Sequence, residues 1–156
     1  MKHQSVKIGD RVPLFSLKNQ HGEPVAIERF FGNPFILFFY PKDDSPGCTV
    51  EACSFRDAYS ELRDLDAEVI GVSADSPASH LAFAKKFKLP FTLLSDEKNK
   101  VRNMFGVQKS LFGLIEGRVT FVVDAQGVVR HIFDAQFLVR QHVREALKHL
   151  RSSVPV

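Results

Sequence analysis

The chain has little sulfur and no indole side chain. Its 156 residues include two cysteines, two methionines and no tryptophan. With no third cysteine and no histidine near Cys48 and Cys53, the pair cannot supply a four-ligand zinc site. Four residues separate the two cysteines, so they also lack the C-x-x-C spacing of dithiol oxidoreductases. That spacing argues against an enzyme that exchanges disulfides with other proteins.

Long apolar stretches and a strong net charge are also missing. Residues 1–7 contain no apolar signal-peptide region, and the longest apolar stretch is far too short to span a membrane. The 21 Lys and Arg residues are dispersed among 18 acidic ones, which leaves a net charge of +3. This pattern is typical of a solvated mixed surface. We therefore expect no membrane partner and no nucleic-acid partner.

The same features bear on where the protein resides. Two cysteines that remain thiols suit a reducing compartment, although in the periplasm the same pair could form a structural disulfide. We expect a cytoplasmic protein. An organelle protein without its transit peptide would have the same sequence features.

The apolar content is sufficient for one sizeable core. Hydrophobic residues make up 44% of the chain and charged residues 25%, within the usual range for a globular domain of this length. The fifteen phenylalanines indicate a core rich in aromatic rings. Because no repeat or linker is visible, we expect residues 1–156 to form a single domain.

The first half of the chain alternates between strand and helix patterns. Residues 35–40 and 69–73 are continuous apolar runs, typical of strands buried on both faces. Between them, residues 47–63 have helical spacing. The sequence Asp75-Ser76-Pro77 is a cap followed by proline, which predicts a helix that extends to about Phe87.

The second half predicts a hairpin and a final helix. Two β-rich runs, 119–123 and 128–133, flank the turn sequence 124–127. From about 139 to 150, apolar residues recur at helical spacing. The resulting order of elements is that of a thioredoxin-like α/β fold, with a central mixed β-sheet flanked by helices. Residues 1–33 would add a short N-terminal β extension.

The segment 41–49, PKDDSPGCT, follows the first buried strand and contains the more informative cysteine. Ser45 is a good N-cap and Pro46 suits the first helical position. Cys48 then occupies the third helical position, where unpaired backbone N–H groups and the positive end of the helix dipole lie. A thiolate at that position is stabilised, which is typical of a reactive cysteine.

The spacing of Cys48 and Cys53 predicts a conformational change if they join. On a continuous helix, five residues rise about 7.5 Å and turn about 140°, so the two side chains point apart. A disulfide needs Cα atoms within about 7 Å of each other. Forming one would require the start of the helix or its Cys53 end to unwind.

The pattern Pro41-x-x-x-Ser45-x-x-Cys48 resembles the peroxidatic motif of the peroxiredoxins. Segments 45–49 and 51–57 are similar to the bacterioferritin comigratory protein, or peroxiredoxin Q, subfamily. Segments similar to plant and cyanobacterial members follow in the same order, at 89–97, 111–113 and 117–121. One departure is Ser45, where the family usually has Thr; the hydroxyl is kept and the β-methyl group that stiffens χ1 is lost.

The resemblance implies a thiol-dependent peroxidase and a role for each motif residue. Cys48 would attack the peroxide and become a sulfenic acid, with Pro41 shielding the thiolate. The Ser45 hydroxyl would donate to the peroxide or the thiolate, and the N–H groups of Gly47 and Cys48 would bind substrate oxygen. Arg118 would return to this pocket from the edge of a later strand and orient an oxygen with its planar guanidinium.

The resemblance also implies how the enzyme is recycled. Cys53 would resolve the sulfenic acid in an intramolecular Cys48–Cys53 disulfide, which thioredoxin or a similar dithiol would reduce. A monomer would suffice, and no cofactor is implied. Substrates would be hydrogen peroxide and organic hydroperoxides, with the apolar segment 111–115 a candidate lining for an alkyl chain.

Purely structural interpretations remain open for each of these residues. By spacing alone, Cys53 is better explained as a packed helix residue, and isolated free cysteines such as Cys48 are usually core residues. Arg118 before a strand is most often a surface residue, while Ser45 and Pro41 could be only a helix cap and a strand stop. The corresponding alternative function is a redox-inert binding or chaperone module.

The histidines suggest no metal site. They are scattered along the chain: His3, His21, His80, His131, His142 and His149. His142 and His149 share a helix face but are seven residues apart, too far to ligate one ion without other help. We predict no bound metal.

Overall fold

The computed structural model describes residues 6–109 and 116–153. Within them, seven strands form one sheet, against which five α-helices pack. The strands are β1 (Ser16–Asn19), β2 (Pro24–Ala26), β3 (Phe35–Phe39), β4 (Glu68–Ser73), β5 (Thr92–Ser95), β6 (Val119–Val123) and β7 (Val129–Asp134). The helices are α1 (Pro46–Asp57), α2 (Tyr59–Asp64), α3 (Pro77–Phe87), α4 (Lys100–Phe105) and α5 (Val139–Ser153), and a 3₁₀ turn covers Ile27–Phe30.

The sheet is mixed, with the strand order β2-β1-β5-β4-β3-β6-β7. Strand β4 is parallel to both β3 and β5, and the other pairs are antiparallel. The predicted mixed sheet flanked by helices is therefore confirmed. Strands β1 and β2 supply the expected N-terminal β extension and join the sheet through β5.

Strand β3 lies at the centre of the fold and is buried along its whole length. Because successive side chains of a strand point to opposite faces, it contributes to two cores. Ile36 and Phe38 pack in the core that includes residues of α1, α3 and α5. Phe35, Leu37 and Phe39 pack in the other core, which includes residues of α4. The continuous apolar run at 35–40 is thus explained by burial on both faces.

The helical region that follows β3 is divided in two. One helix was expected over 47–63, but α1 ends at Asp57 and α2 begins at Tyr59. Ala58, with φ −89° and ψ 0°, is the single residue between them. The predicted start of α3 is confirmed, since Ser76 is its N-cap and accepts a hydrogen bond from the backbone N–H of Ser79.

The predicted hairpin is formed by β6 and β7. The Asp124 carboxylate holds its turn by accepting hydrogen bonds from the backbone N–H groups of Gln126 and Val128, both at 2.9 Å. Gly127 has φ +81°, and a Cβ there would approach the Phe31 ring to 2.8 Å. Two elements were not predicted from the sequence, strand β5 and helix α4.

Helix α5 packs against α1 and against strands β6 and β7. This arrangement places the C-terminal helix beside the element that contains both cysteines. Among the described residues, no helix has both the length and the apolar character needed to cross a bilayer.

Candidate active site

Cys48 is the third residue of α1, immediately after the loop that leaves β3. Ser45 occupies the N-cap with extended φ and ψ, and Pro46 is the first helical residue, both as predicted. The Cys48 side chain is 1% exposed and packs in the core that α1, α3 and α5 share. The thiol therefore lies at the positive end of a helix dipole and is sheltered from bulk solvent.

Arg118 contacts this cysteine although it lies 70 residues later in the sequence. Val119, the first residue of β6, pairs with Phe39, the last residue of β3. Arg118 therefore lies beside the end of β3, where the loop to Cys48 begins. Its Nη2 atom donates a hydrogen bond to Cys48 Sγ at 3.3 Å, and its Nε atom donates to the carbonyl oxygen of Gln136 at 3.0 Å.

Gly47 makes this approach sterically feasible. A Cβ atom at Gly47 would lie 3.1 Å from Nη2 of Arg118 and 3.7 Å from Cγ1 of Val139. A side chain here would press on the guanidinium that contacts Cys48. The glycine thus leaves room for Arg118 to approach the first turn of α1.

The Ser45 hydroxyl is engaged differently from the expected donation to thiolate or peroxide. Its Oγ atom donates to the carbonyl oxygen of Lys42 at 2.8 Å and makes no hydrogen bond to the helix it precedes. A hydroxyl has one proton to donate, so it can reach a substrate only by giving up this bond. Pro41 is half-buried at the end of β3, next to that loop.

Cys53 lies on the same helix as Cys48 and is half-buried. Both cysteines are free thiols, and α1 is continuous between them. The five-residue separation on an intact helix keeps the side chains on different faces, as the sequence predicted. Joining them requires a local change in α1.

Glu51 is a site residue that the sequence analysis missed. Its side chain is fully buried, and its Oε1 atom lies 2.6 Å from Nη1 of Arg118. Burial raises the pKa of Glu51 to about 7, even though the positive charge of Arg118 opposes this rise. The sequence did contain one indication that Glu51 is near the site, because a residue three positions after Cys48 lies on the same side of the helix.

The charge of Arg118 is also affected by this pairing. Burial alone would lower the pKa of Arg118, but the nearby Glu51 and Cys48 outweigh it, and the pKa is raised. Arg118 is therefore a permanent cation that is shared between a carboxylate and a thiol. Its net effect on Cys48 depends on the ionisation of Glu51.

His142 completes the buried cluster from α5. Its Nε2 atom faces the carbonyl oxygen of Ala135 at 2.8 Å and must donate, so in the neutral ring Nδ1 accepts from the Thr120 hydroxyl at 2.7 Å. Nδ1 also lies 3.5 Å from Oε2 of Glu51, an oxygen that is buried without a hydrogen bond. Burial lowers the pKa of His142 to about 4, and Arg118 contributes to that lowering.

Arg102 is a second buried arginine that the sequence analysis missed, because helix α4 was not predicted. It donates from Nη1 to the carbonyl oxygen of Gly117 at 2.6 Å and from Nη2 to the carbonyl oxygen of Tyr40 at 2.7 Å. Gly117 precedes Arg118, and Tyr40 begins the loop to Cys48. Arg102 therefore links, by hydrogen bonds, the segment that leads to Cys48 and the segment that contains Arg118.

A further polar network holds the loop between β3 and α1. The Asp43 carboxylate accepts from the Tyr40 hydroxyl at 2.6 Å and lies 2.7 Å from Nδ1 of His80. Nε2 of His80 faces the carbonyl oxygen of Leu94 at 2.9 Å, so both ring nitrogens face acceptors. Burial, followed by the charge of Asp43, raises the pKa of Tyr40 well above its usual value. The loop is thus anchored to α3 and β5 before it enters α1.

An exposed apolar pair lies beside the site. Phe137 and Leu138 are 68% and 69% exposed, between Gln136, which binds Arg118, and Val139, which faces Gly47. The segment 111–115, which was expected to line an alkyl pocket, lies outside the described residues.

These groups together can stabilise a thiolate and bind an oxygen. A buried sulfur at a helix start faces a cation that is itself oriented by the Glu51 carboxylate and the carbonyl group of Gln136. That is the chemistry of a nucleophilic cysteine. The described residues that surround it offer no second thiol except Cys53.

Comparisons with known proteins agree with this arrangement. Residues 8–132 match the AhpC/TSA family. Over 144 residues the chain is 52% identical to the chloroplastic peroxiredoxin Q of Sedum lineare. The aligned residues cover 92% of this chain and 77% of that protein.

Two solved structures have the same fold. The peroxidoxin BcpB of Mycobacterium tuberculosis superposes with a TM-score of 0.89 at 35% identity, over 96% of this chain and 99% of that one. The second is the bacterioferritin comigratory protein of Xanthomonas campestris, described for its alkyl peroxide reduction activity. It superposes with a TM-score of 0.82 at 28% identity, over 92% of this chain and 98% of that one. The thioredoxin-like fold expected from the sequence is confirmed.

Proposed function

Since this chain belongs to the AhpC/TSA family and is a thiol-dependent peroxidase of the peroxiredoxin Q type, we propose that Cys48 is the nucleophile that attacks the peroxide. The observation that carries this proposal is the 3.3 Å contact between Nη2 of Arg118 and Sγ of Cys48 at the start of α1. The alternative of a redox-inert binding module is not supported, because the relatives are peroxidases over nearly the whole length of the chain.

In the first step, the Cys48 thiolate forms an S–O bond with one peroxide oxygen while the O–O bond breaks. The leaving oxygen takes the bonding electrons and, from solvent, one proton equivalent to that which the thiol lost on ionising, and departs as water or an alcohol; the attacked oxygen remains on Cys48 as a sulfenic acid. Arg118 and the first-turn N–H groups, including that of Gly47, stabilise the charge on the oxygens. Ser45 contributes its hydroxyl after releasing the carbonyl of Lys42, and Pro41 shields the sulfur.

In the second step, Cys53 resolves the sulfenic acid. Its sulfur attacks Sγ of Cys48, an S–S bond forms and water leaves. Because α1 is continuous between the two residues, the start of the helix or its Cys53 end unwinds before they join.

The family implies a hydroperoxide substrate and a thioredoxin-type reductant. The reductant reopens the disulfide by thiol–disulfide exchange and is itself oxidised. We propose that the cycle is completed within one chain, since both cysteines lie on α1, so a monomer suffices. We also propose that residues 1–156 form one domain, supported by a sheet to which both β1 and β7 belong.

The plant relatives are chloroplastic, so an organelle location fits the family. A cytoplasmic location is our proposal for this chain. Fractionation of the source cells, with detection of the protein in each fraction, tests it.

Mass spectrometry tests the two cysteine roles directly. The reduced protein is exposed briefly to stoichiometric hydrogen peroxide, free thiols are alkylated, and the peptide that spans both cysteines is analysed. We expect loss of two hydrogens and an internal crosslink. Cys48→Ser should abolish turnover, whereas Cys53→Ser should allow one rapid sulfenic acid formation and little recycling. Turnover that survives Cys48→Ser would contradict the proposal.

A further inference from the structure

Helix α5 and strand β7 bring three ligand-type side chains together outside the cysteine site. His131 is on β7, and Glu145 and His149 lie one helical turn apart on α5. Oε2 of Glu145 lies 3.0 Å from Nε2 of His131 and 3.5 Å from Nε2 of His149. These three atoms, contributed by the consecutive elements β7 and α5, lie within 4.8 Å of one another.

The sequence led us to expect no bound metal, but from this convergence we propose that His131, Glu145 and His149 form a binding site for a divalent transition-metal ion of the Zn²⁺ class. Imidazole and carboxylate ligands suit Zn²⁺ and its first-row neighbours, whereas Mg²⁺ and Ca²⁺ prefer oxygen ligands alone. Three protein ligands leave a fourth position for water or an added ligand.

The spacing of the donor atoms suits such an ion. In a tetrahedral site with bonds of about 2.0 to 2.1 Å, neighbouring ligand atoms lie roughly 3.3 Å apart. The two observed separations, 3.0 and 3.5 Å, lie on either side of that value. The imidazole rings are stacked at 3.5 Å with planes inclined by 12°, so one ring must tilt to direct its lone pair at a shared ion. His149 is the more exposed of the two and has room to do so.

Two neighbouring observations favour a ligand over a simple ion pair. Gln141 donates from Nε2 to Oε1 of Glu145 at 3.3 Å, which orients the carboxylate and leaves Oε2 for the histidines. Nε2 of His131 is buried without an aligned hydrogen bond, although Oε2 of Glu145 is near. Lys148 disfavours a bound cation, because its positive charge interacts electrostatically with both His131 and Glu145.

A second cluster of similar residue types among the described residues lacks these properties. Asp43, Asp75 and His80 also bring their ligand atoms within 4.8 Å. Those atoms are already engaged by the Tyr40 hydroxyl, by the backbone N–H of Asp43, by one another, and by the carbonyl oxygen of Leu94, which faces His80. An ion there would have to break that network, so the α5–β7 cluster is the better candidate.

Metal titration of the full chain tests the proposal. The protein is treated with chelator, reduced, and titrated with Zn²⁺ by calorimetry and with Co²⁺ by visible absorption. We expect saturable binding of one ion, a melting temperature that rises with Zn²⁺ concentration, and the same binding in a Cys48→Ser/Cys53→Ser variant that has no thiolate ligand.

Single substitutions assign the site. His131→Gln and His149→Gln should each weaken binding by at least about tenfold, and Gln141→Ala by a smaller factor. Lys148→Gln should strengthen it. His21→Gln is the matched control, because His21 is exposed in the turn between β1 and β2, and it should bind as the parent does.

The proposal is overturned if the parent chain shows no saturable binding. It is also overturned if binding disappears with the two cysteines, or if His131→Gln and His149→Gln bind as tightly as His21→Gln. Because His149 lies on the accessible side of the cluster, His149→Gln keeps the test decisive even if His131→Gln folds poorly. None of these readouts depends on peroxidase activity.

Discussion

Glu51 and Arg118 meet at 2.6 Å inside the protein, and the same guanidinium donates to Cys48 Sγ at 3.3 Å. One guanidinium group therefore donates hydrogen bonds to both a carboxylate and the sulfur. Because burial raises the pKa of Glu51 to about 7, the carboxylate changes its charge near neutral pH. When Glu51 is neutral, the positive field of Arg118 acts more fully on Cys48.

Replacing Glu51 with Gln should make Cys48 more reactive as a thiolate. Gln keeps the size of the side chain and an oxygen acceptor for Nη1 of Arg118, but removes the negative charge. An electrostatic effect of about 1 kcal/mol corresponds to a roughly fivefold faster alkylation of Cys48 by iodoacetamide at pH 7.5. Glu23→Gln, at an exposed glutamate, is the control and should leave the rate unchanged. Slower alkylation in Glu51→Gln would show that the carboxylate acts mainly by holding Arg118 in place.

The buried pair of Glu51 and His142 should give two opposing pH dependences of stability. His142 has a pKa of about 4 in the folded protein against 6.5 ordinarily, so the unfolded chain binds this proton more tightly and stability falls as pH drops from 6.5 to 4. Glu51 has a pKa of about 7 against 4.5, so stability falls as pH rises from 4.5 to 7. Each slope is about 1.4 kcal/mol per pH unit where it is fully developed.

Between pH 4.5 and 6.5 these contributions should largely cancel, and single substitutions should reveal them. Urea unfolding across this range should show that Glu51→Gln loses stability, relative to the parent, as the pH falls. His142→Gln should show the reverse slope. If both variants have the pH dependence of the parent, neither group titrates as inferred, whatever their overall stability.

Arg102→Lys should weaken the connection between the two halves of the site. A lysine has a single ammonium group, which cannot reproduce the two-pronged contact with the carbonyl oxygens of Tyr40 and Gly117. Leaving one buried carbonyl unpaired costs about 2 kcal/mol of stability. Because Arg102 acts through Arg118, kcat/KM for hydrogen peroxide should fall about tenfold, an effect of about 1.4 kcal/mol.

The control for this substitution is Arg63→Lys, at a half-exposed arginine on α2. It should change the free energy of unfolding by less than about 1 kcal/mol. Equal activity of Arg102→Lys and the parent, at matched folded fraction, would exclude a positioning role for Arg102.

Phe137→Ser should reduce activity toward bulky hydroperoxides more than toward hydrogen peroxide. The exposed ring lies next to Gln136, whose carbonyl binds Arg118, and can cover an alkyl chain bound near Cys48. Loss of that apolar contact predicts a roughly tenfold lower kcat/KM for cumene hydroperoxide. Leu14→Ser, at another exposed apolar residue, should change neither substrate. An equal loss for both substrates would mean that Phe137 acts on the reacting groups and not on the alkyl chain.

The metal-site and peroxidase proposals are independent of each other. The cluster on α5 and β7 shares no residue with the cysteine site. Loss of zinc binding without loss of turnover, or the reverse, therefore separates the two.

The sequence by itself determined the features that depend on neighbouring residues. Pro46 occupies the first position of α1 after the extended residue Ser45, which places Cys48 at the third position, and the five-residue spacing places Cys53 on a different face. The apolar run at 35–40 predicted β3, and the turn at 124–127 predicted the hairpin. These signals are local, because capping, turn geometry and periodicity involve only a few adjacent residues.

The tertiary structure alone decided the surroundings of the sulfur. Val119 pairs with Phe39 in the antiparallel register of β3 and β6, and this brings Arg118 to Cys48 from 70 residues away. The packing of α5 on α1 then encloses Glu51 with His142. Burial and charge at these residues depend on strand register and helix packing between distant segments, and no local pattern in the sequence specifies either.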